Sequence, residues 1–336
     1  MKTLALVESP AQLLNVLEWA HRHDVQRDDL TTVVLAPRPE QSRLQLRRMT
    51  EIARNLRHVV RWHEPRLGAA STARTVRAMA GELIGIDRLV VGDPFSGVIQ
   101  VVLGVTRVPE VVIVDDGTAT MEFARLWSNG EELVRWHTTK TAPHRRQIAS
   151  LARRRMTAAT GSKISVFSCL PLEVELPVIK NDFGWTRSQY GQPTVKITGD
   201  LVGTSLVETG VVDEEAYLAG VASLAARYKV DRYFAHRKEE QAKLDRITAL
   251  GIEVVRPELP IELTARMGPI GRHVISFPST VVHTLPVVLA DTAADLVVCD
   301  INQDWYTTKT SAASSTFLSH VATSARLTHG LTAAAC

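Results

Sequence analysis

The sequence predicts an α/β protein of two consecutive domains, each a doubly wound parallel sheet. Three observations predict it. Several apolar runs, among them Thr31-Thr-Val-Val-Leu35, Leu89-Val-Val91 and Val111-Val-Ile-Val114, do not alternate with polar residues. Such runs suit strands buried on both faces, as parallel sheets require. The runs are separated by helical stretches, which is the signature of successive β-α units. The chain of 336 residues also exceeds the size at which one core stops growing.

Taken in order, Leu4 to Val7 reads as the first strand. Ser9 then caps a helix that has Pro10 in its first turn. Strands follow at 31–35, 59–62, 88–93 and 111–114. Between them lie an arginine-rich helix ending near Leu56 and a helix over 71–84. Lys163 to Phe167 reads as the last strand of the first half. Asn181 to Pro193 reads as a linker, so the domains are expected at 1–190 and 191–336, both Rossmann-like. In the second half strands are expected at 232–235, 252–255, 273–277 and 295–300. An alanine-rich, weakly helical tail over 311–331 closes the chain.

Apolar residues make up 45% and charged residues 22%, as in ordinary soluble proteins, and a net charge of +3 is too small to imply nucleic acid. Three widely spaced cysteines argue against disulfides and zinc, and fit a reducing cytoplasm. No apolar run is long enough to span a bilayer. A cytoplasmic protein is expected, either soluble or peripheral on the inner face of a membrane. The sequence does not fix the oligomeric state, and a homodimer is compatible with it.

Two motifs carry chemistry in the first half. Asp115-Asp116-Gly117 directly follows the strand 111–114. The carboxyl end of such a strand opens into the ligand crevice. A carboxylate there suits a general base. An acidic helix cap is the structural alternative. Between Leu133 and Leu172 there is no acid, whereas Arg135, Lys140, Arg145, Arg146, Arg153, Arg154, Arg155 and Lys163 are present. The segment 135–163 suits either a solvated face or an anionic partner, an acidic glycan or an anionic membrane surface. Few aromatics interleave with these cations, which argues against nucleic acid.

In the second half three strand ends carry polar groups: His236-Arg237, then Glu258 and Glu262, then Ser279-Thr280. Hydroxyls and free N–H groups at a helix start attract anions, and a histidine and an arginine one strand away could complete a phosphate clamp. Glu262 could accept from a ribose diol; it could equally pair with Arg266 at i+4. Two Rossmann-like halves facing across a cleft, one for a sugar nucleotide and one offering a base, describe the GT-B type of glycosyltransferase.

These residues resemble the bacterial sialyltransferases, in the polysialyltransferase-like and lipooligosaccharide sialyltransferase branch. Asp115-Asp116-Gly117 matches that family's acid-acid-glycine motif, His236-Arg237 its His-Pro motif, and Ser279-Thr280 its serine pair. Arg237 stands where the family has proline. Val7 to Leu14 is similar to the family's first β-α turn, which adds Ser9 to the donor-binding candidates, and Pro260-Ile261-Glu262 resembles a segment before the third motif. The resemblance spans residues 4 to about 290. It implies an inverting, metal-independent transfer of a sialic (nonulosonic) acid from its CMP donor to a glycan acceptor, in bacterial capsule or surface polysaccharide synthesis. CMP-sialic acid is then a substrate, and no cofactor is implied. Asp115 or Asp116 would be the base. His236, Ser279 and Thr280 would stabilise the leaving phosphate, joined by Arg237, and Glu262 would hold the ribose. The competing readings are a UDP-sugar transferase or epimerase of the same fold, and an inactive sugar-nucleotide-binding subunit of a glycan assembly complex.

Overall fold

The computed structural model describes residues 1–134, 143–157 and 163–334. The chain divides into two compact units, Met1–Trp185 and Thr186–Cys336.

The first unit contains β1 (Thr3–Val7), α1 (Pro10–Arg22), β2 (Leu30–Leu35), α2 (Glu40–Asn55), β3 (Val59–His63), α3 (Ala69–Glu82), β4 (Arg88–Val91), α4 (Gly97–Val105), β5 (Glu110–Val114), α5 (Thr118–Ser128), α6 (Pro143–Met156), β6 (Lys163–Ser168) and β7 (Val178–Lys180). A short helix, α7 (Gly184–Gln189), spans the boundary in the stretch expected to be a linker. The strands form one parallel sheet in the order β3-β2-β1-β4-β5-β6-β7. Its register aligns Val33, Leu6, Val91, Ile113 and Val166 in a single row across five strands, each 0% exposed. Each such side chain contributes about 1.5–3 kcal/mol of burial, which explains the unalternating apolar runs of β1, β4 and β5. The chain winds outward from β1 through β2 and β3, then returns to β4 on its other side. The loops after β1 and β4 therefore diverge, and a crevice opens at the carboxyl edge between them.

The second unit contains β8 (Gly199–Val202), α8 (Glu214–Tyr228), β9 (Val230–Phe234), α9 (Gln241–Ala249), β10 (Glu253–Val255), α10 (Ile261–Met267), β11 (His273–Ser276), α11 (Val281–Val288), β12 (Asp295–Cys299), α12 (Ala312–His329) and β13 (Thr332–Ala334). Its parallel sheet runs β10-β9-β8-β11-β12-β13, and the winding reverses between β8 and β11. Tyr233, Leu201, Ile275 and Val297 form its buried row.

Two details depart from the sequence reading. The central strand β8 has no apolar run, because Asp200 lies within it. That carboxylate is fully buried and takes a bidentate pair from Arg232 at 2.9 and 2.7 Å and the N–H of Gly271 at 2.5 Å. Cys299 is disulfide-bonded, which corrects the expectation of no disulfides. Separation along the chain does not preclude closeness in space, and β13 pairs its Ala334 with Cys299. Cys169 is free and buried. No helix among the described residues is long and apolar enough to cross a membrane.

Candidate functional site

At the carboxyl edge of the first sheet the two acids of the Asp-Asp-Gly motif have different surroundings. Asp115 is 3% exposed. Its Oδ1 accepts the N–H of Gly117 at 2.7 Å and its Oδ2 the hydroxyl of Ser168 at 2.5 Å. Its carbonyl accepts Nδ2 of Asn15 at 2.9 Å, and Asn181 in turn donates to Asn15 at 2.8 Å. Asp116 is half-buried. Its Oδ1 accepts the Ser9 hydroxyl at 3.0 Å, and its N–H donates to Thr120 Oγ1 at 2.7 Å. Gly117 has φ 64°, so the turn needs a residue without Cβ, and Gly117 also caps α5 without a side chain. The acids therefore do not serve as the side-chain cap of α5. Asp115 locks the turn, and Asp116 presents a carboxylate at the sheet edge. Ser9 plays two parts. It accepts the N–H of Gln12 as the cap of α1, and it donates to Asp116.

Glu8, one residue before Ser9, was not among the sequence candidates. It sits at the crevice, where Ser96 donates to one oxygen at 2.6 Å and Arg66 pairs with the other at 2.6 Å. Burial raises its carboxyl pKa, and Asp93 adds to the rise, against the lowering effects of Arg66 and Ser96. Glu8 lines a pocket of about 340 Å³ with Pro37, Arg38, Pro39 and Arg66. The available signal is a charged residue directly after the apolar run of residues 4–7.

In the second unit His236 follows β9, Ser279 and Thr280 follow β11, and both strands flank β8 in a parallel sheet, so these residues share the carboxyl edge. His236 is half-buried, and its pKa is lowered to about 4 by burial, then by Arg237, Lys238 and Lys243. The ring is thus neutral near pH 7. The N–H of Lys238 donates to His236 Nδ1 at 3.3 Å, which leaves the proton of the neutral ring on Nε2. Arg237 is exposed.

Ser279 and Thr280 precede α11, yet no side chain caps that helix. Ser279 Oγ has Ser276 Oγ at 3.5 Å, at the margin of a hydrogen bond. The capping explanation for these hydroxyls is therefore absent. Glu262 accepts the hydroxyl of Thr284 at 2.7 Å, which ties α10 to α11, and burial raises its pKa. It does not pair with Arg266, whose guanidinium binds Asp291 at 2.5 and 2.9 Å and the carbonyls of Tyr190 and Val288. No hydrogen bond among the described residues joins His236 to Glu262, Ser279 or Thr280.

The basic segment divides in two. Arg135 and Lys140 lie outside the described residues. Arg153 has a structural role, since it donates to the carbonyls of Leu126, Trp127 and Glu131 at the end of α5 and stacks on Trp127 at 4.8 Å. Arg155 donates to Gly104 O at 3.3 Å. Arg145, Arg146 and Arg154 are exposed. No group of three or more metal-type side chains occurs among the described residues.

No protein-family model matches the chain, and no curated protein matches it. Solved structures do. The chain is similar to α/β-galactoside α-2,3-sialyltransferase of Photobacterium phosphoreum over 99% of its length and 98% of that chain, at 10% identity and a TM-score of 0.51. The fold is GT-B. Two further matches are the GT-B domain of a Photobacterium damselae sialyltransferase (99% and 100% covered, 13% identity, TM-score 0.48) and E. coli heptosyltransferase WaaC with ADP-2-deoxy-2-fluoro heptose (98% and 98%, 15%, 0.43). At such identities the likeness is one of fold. Function has to be argued from side chains.

Proposed function

We propose that the chain is an inverting, metal-independent glycosyltransferase that moves a sialic (nonulosonic) acid from CMP to a glycan hydroxyl. Asp116 is the base and takes the acceptor proton as the hydroxyl attacks the anomeric carbon. The hydrogen bond from Ser9 orients its carboxylate. Asp115 holds the turn and does not contact substrate. As the glycosidic bond breaks, charge grows on the departing CMP phosphate. His236 Nε2–H and the hydroxyls of Ser279 and Thr280 receive it, with Arg237 alongside. A neutral imidazole donates a hydrogen bond without needing a proton from solution. Glu262 accepts from the ribose. Donors of this kind stabilise the phosphate charge by hydrogen bonding, with Arg237 as the nearby positive charge, so the step needs no metal ion. The exposed Arg145, Arg146 and Arg154 of α6 are offered to an acidic glycan or an anionic inner-membrane surface.

The observation that carries this reading is the hydroxyl pair at the start of α11: Thr280 is the N-cap residue, yet neither its hydroxyl nor that of Ser279 makes a capping hydrogen bond. An anion site at a helix start accounts for such a pair. The decisive experiment is turnover of CMP-sialic acid. His236→Ala should lower it at least about a hundredfold, the scale for one preorganised donor. CMP and CDP should raise the melting temperature and UDP should not. Stabilisation by UDP would favour a UDP-sugar enzyme. CMP binding without any donor turnover, with acceptor in excess, would favour an inactive subunit.

A further inference from the structure

Beneath His236 lies a buried polar chain that the reaction does not use. Glu239 is 4% exposed and Lys243 is 2% exposed. Glu239 Oε1 accepts the Tyr233 hydroxyl at 2.5 Å and pairs with Lys243 Nζ at 2.8 Å. Tyr217 lies 2.7 Å from the Tyr233 hydroxyl, and Lys243 Nζ sits over its ring at 4.8 Å. Lys243 also pairs with Glu208 at 2.8 Å and donates to the carbonyl of Thr204, just beyond β8, at 3.2 Å. A carboxylate and an ammonium removed from water need such partners to be tolerated. The whole group is packed against Gly203: a Cβ there would stand 2.4 Å from Glu239 Oε2 and 2.5 Å from the Tyr233 hydroxyl.

The remaining oxygen of Glu239 faces the turn that bears the histidine. Oε2 accepts the backbone N–H of His236 at 2.5 Å, and the N–H of Glu239 donates to the His236 carbonyl at 3.0 Å. With Lys238 N–H on Nδ1, three atoms of His236 are held: its amide, its carbonyl and one ring nitrogen. Only Nε2 is left to meet a ligand.

We propose that Glu239 is the positioning residue of His236. Its carboxylate, fixed by Tyr233 and Lys243, clamps the His236 turn so that the imidazole is presented as a single tautomer with Nε2–H outward. The inference rests on the reading of His236 as the phosphate donor. Geometry of this kind matters because a displacement of about 1 Å at a donor can cost on the order of a hundredfold in rate. Glu239→Gln keeps the shape and cannot supply both acceptors.

The experiment combines kinetics on CMP-sialic acid with 15N spectroscopy of the histidine ring in the full chain. Glu239→Gln should lower kcat roughly tenfold to a hundredfold with little change in KM. In a His236→Ala background the same substitution should cost nothing further, whereas a merely structural role would cost the same factor in both backgrounds. The 15N shifts of His236 should report one Nε2–H tautomer in the wild type and a mixture in Glu239→Gln. Tyr233→Phe, which removes one fixing hydroxyl and keeps the ring, should shift both readouts the same way by less. It stands in if Glu239→Gln does not fold. Wild-type kcat and an unchanged tautomer in these variants would overturn the positioning role. A tautomer shift in Glu239→Gln together with full turnover in His236→Ala would keep the clamp and overturn the catalytic reading of the histidine instead.

Discussion

Ser9 donates its hydroxyl to Oδ1 of Asp116 at 3.0 Å, joining the end of β1 to the end of β5 across 107 residues of sequence. That bond gives the two adjacent acids different roles. Asp116 is half-exposed, whereas both oxygens of Asp115 are occupied within the fold. Asp116→Asn should therefore abolish most transfer, by about a hundredfold or more, with an unchanged melting temperature. Asp115→Asn places an amide where two donors already point, and should lose about 1–3 kcal/mol of stability. Thermal unfolding measured beside transfer assays distinguishes the two. Equal melting temperatures and equal activity losses would remove the division.

Much of this was legible before the fold. The row Val33, Leu6, Val91, Ile113 and Val166 covers one face, and β1, β4 and β5 are buried on the other face too, so these strands announce themselves by composition. The same rule hides β8, since Asp200 lies in mid-strand and its compensation comes from Arg232 and Gly271, far away in sequence. The site follows the same division. Asp116, His236 and Ser279 stand within three residues of strand ends and could be picked out. Glu239 reads as one more charge in a charged stretch, because Tyr233, Lys243 and Gly203 surround it only once the chain folds. Arg153 reads as part of a one-signed run, and only the folded chain reveals its carbonyl partners at the end of α5.

The hydroxyls of Ser279 and Thr280 make no capping bond to α11, so removing them should leave stability nearly untouched. A Ser279→Ala/Thr280→Ala variant should melt within about 0.5 kcal/mol of the wild type. Hydrogen bonds to a charged group contribute about 1.5–3 kcal/mol each, so CMP affinity measured by calorimetry should fall at least about tenfold. Unaltered affinity would remove the anion site from the start of α11.

Arg153 and its neighbours should separate by experiment. Arg153 closes the carbonyl end of α5, so Arg153→Ala should cost about 1–3 kcal/mol in denaturant unfolding. Reversal of the exposed Arg146 and Arg154 to glutamate should spare stability. It should also weaken binding to an acidic glycan or anionic vesicles and flatten the salt dependence of that binding. Identical binding at low and high salt, before and after reversal, would leave α6 a solvated face.

The packing of α12 on α11 should make stability depend on pH. His283 is fully buried, with Ser324 Oγ 3.2 Å from Nε2 and His329 Nε2 3.4 Å from Nδ1. Burial pushes its pKa down to about 4, helped by His329 and His320. In the unfolded chain the group titrates near its ordinary value of about 6.5. Between those values the unfolded state binds a proton that the folded state refuses, so stability present above about pH 6.5 is lost as the pH falls toward 4. At 1.36 kcal/mol per unit the effect is about 3 kcal/mol at most. His236 acts in the same direction, while Glu8, Glu239 and Glu262, with raised values, act in the opposite one. The measurement is therefore a difference between the wild type and His283→Asn in urea unfolding at several pH values. The wild-type advantage should shrink between pH 7 and pH 4 because only the wild type carries this titration. A gap independent of pH would mean that His283 takes up its proton without strain in the folded protein.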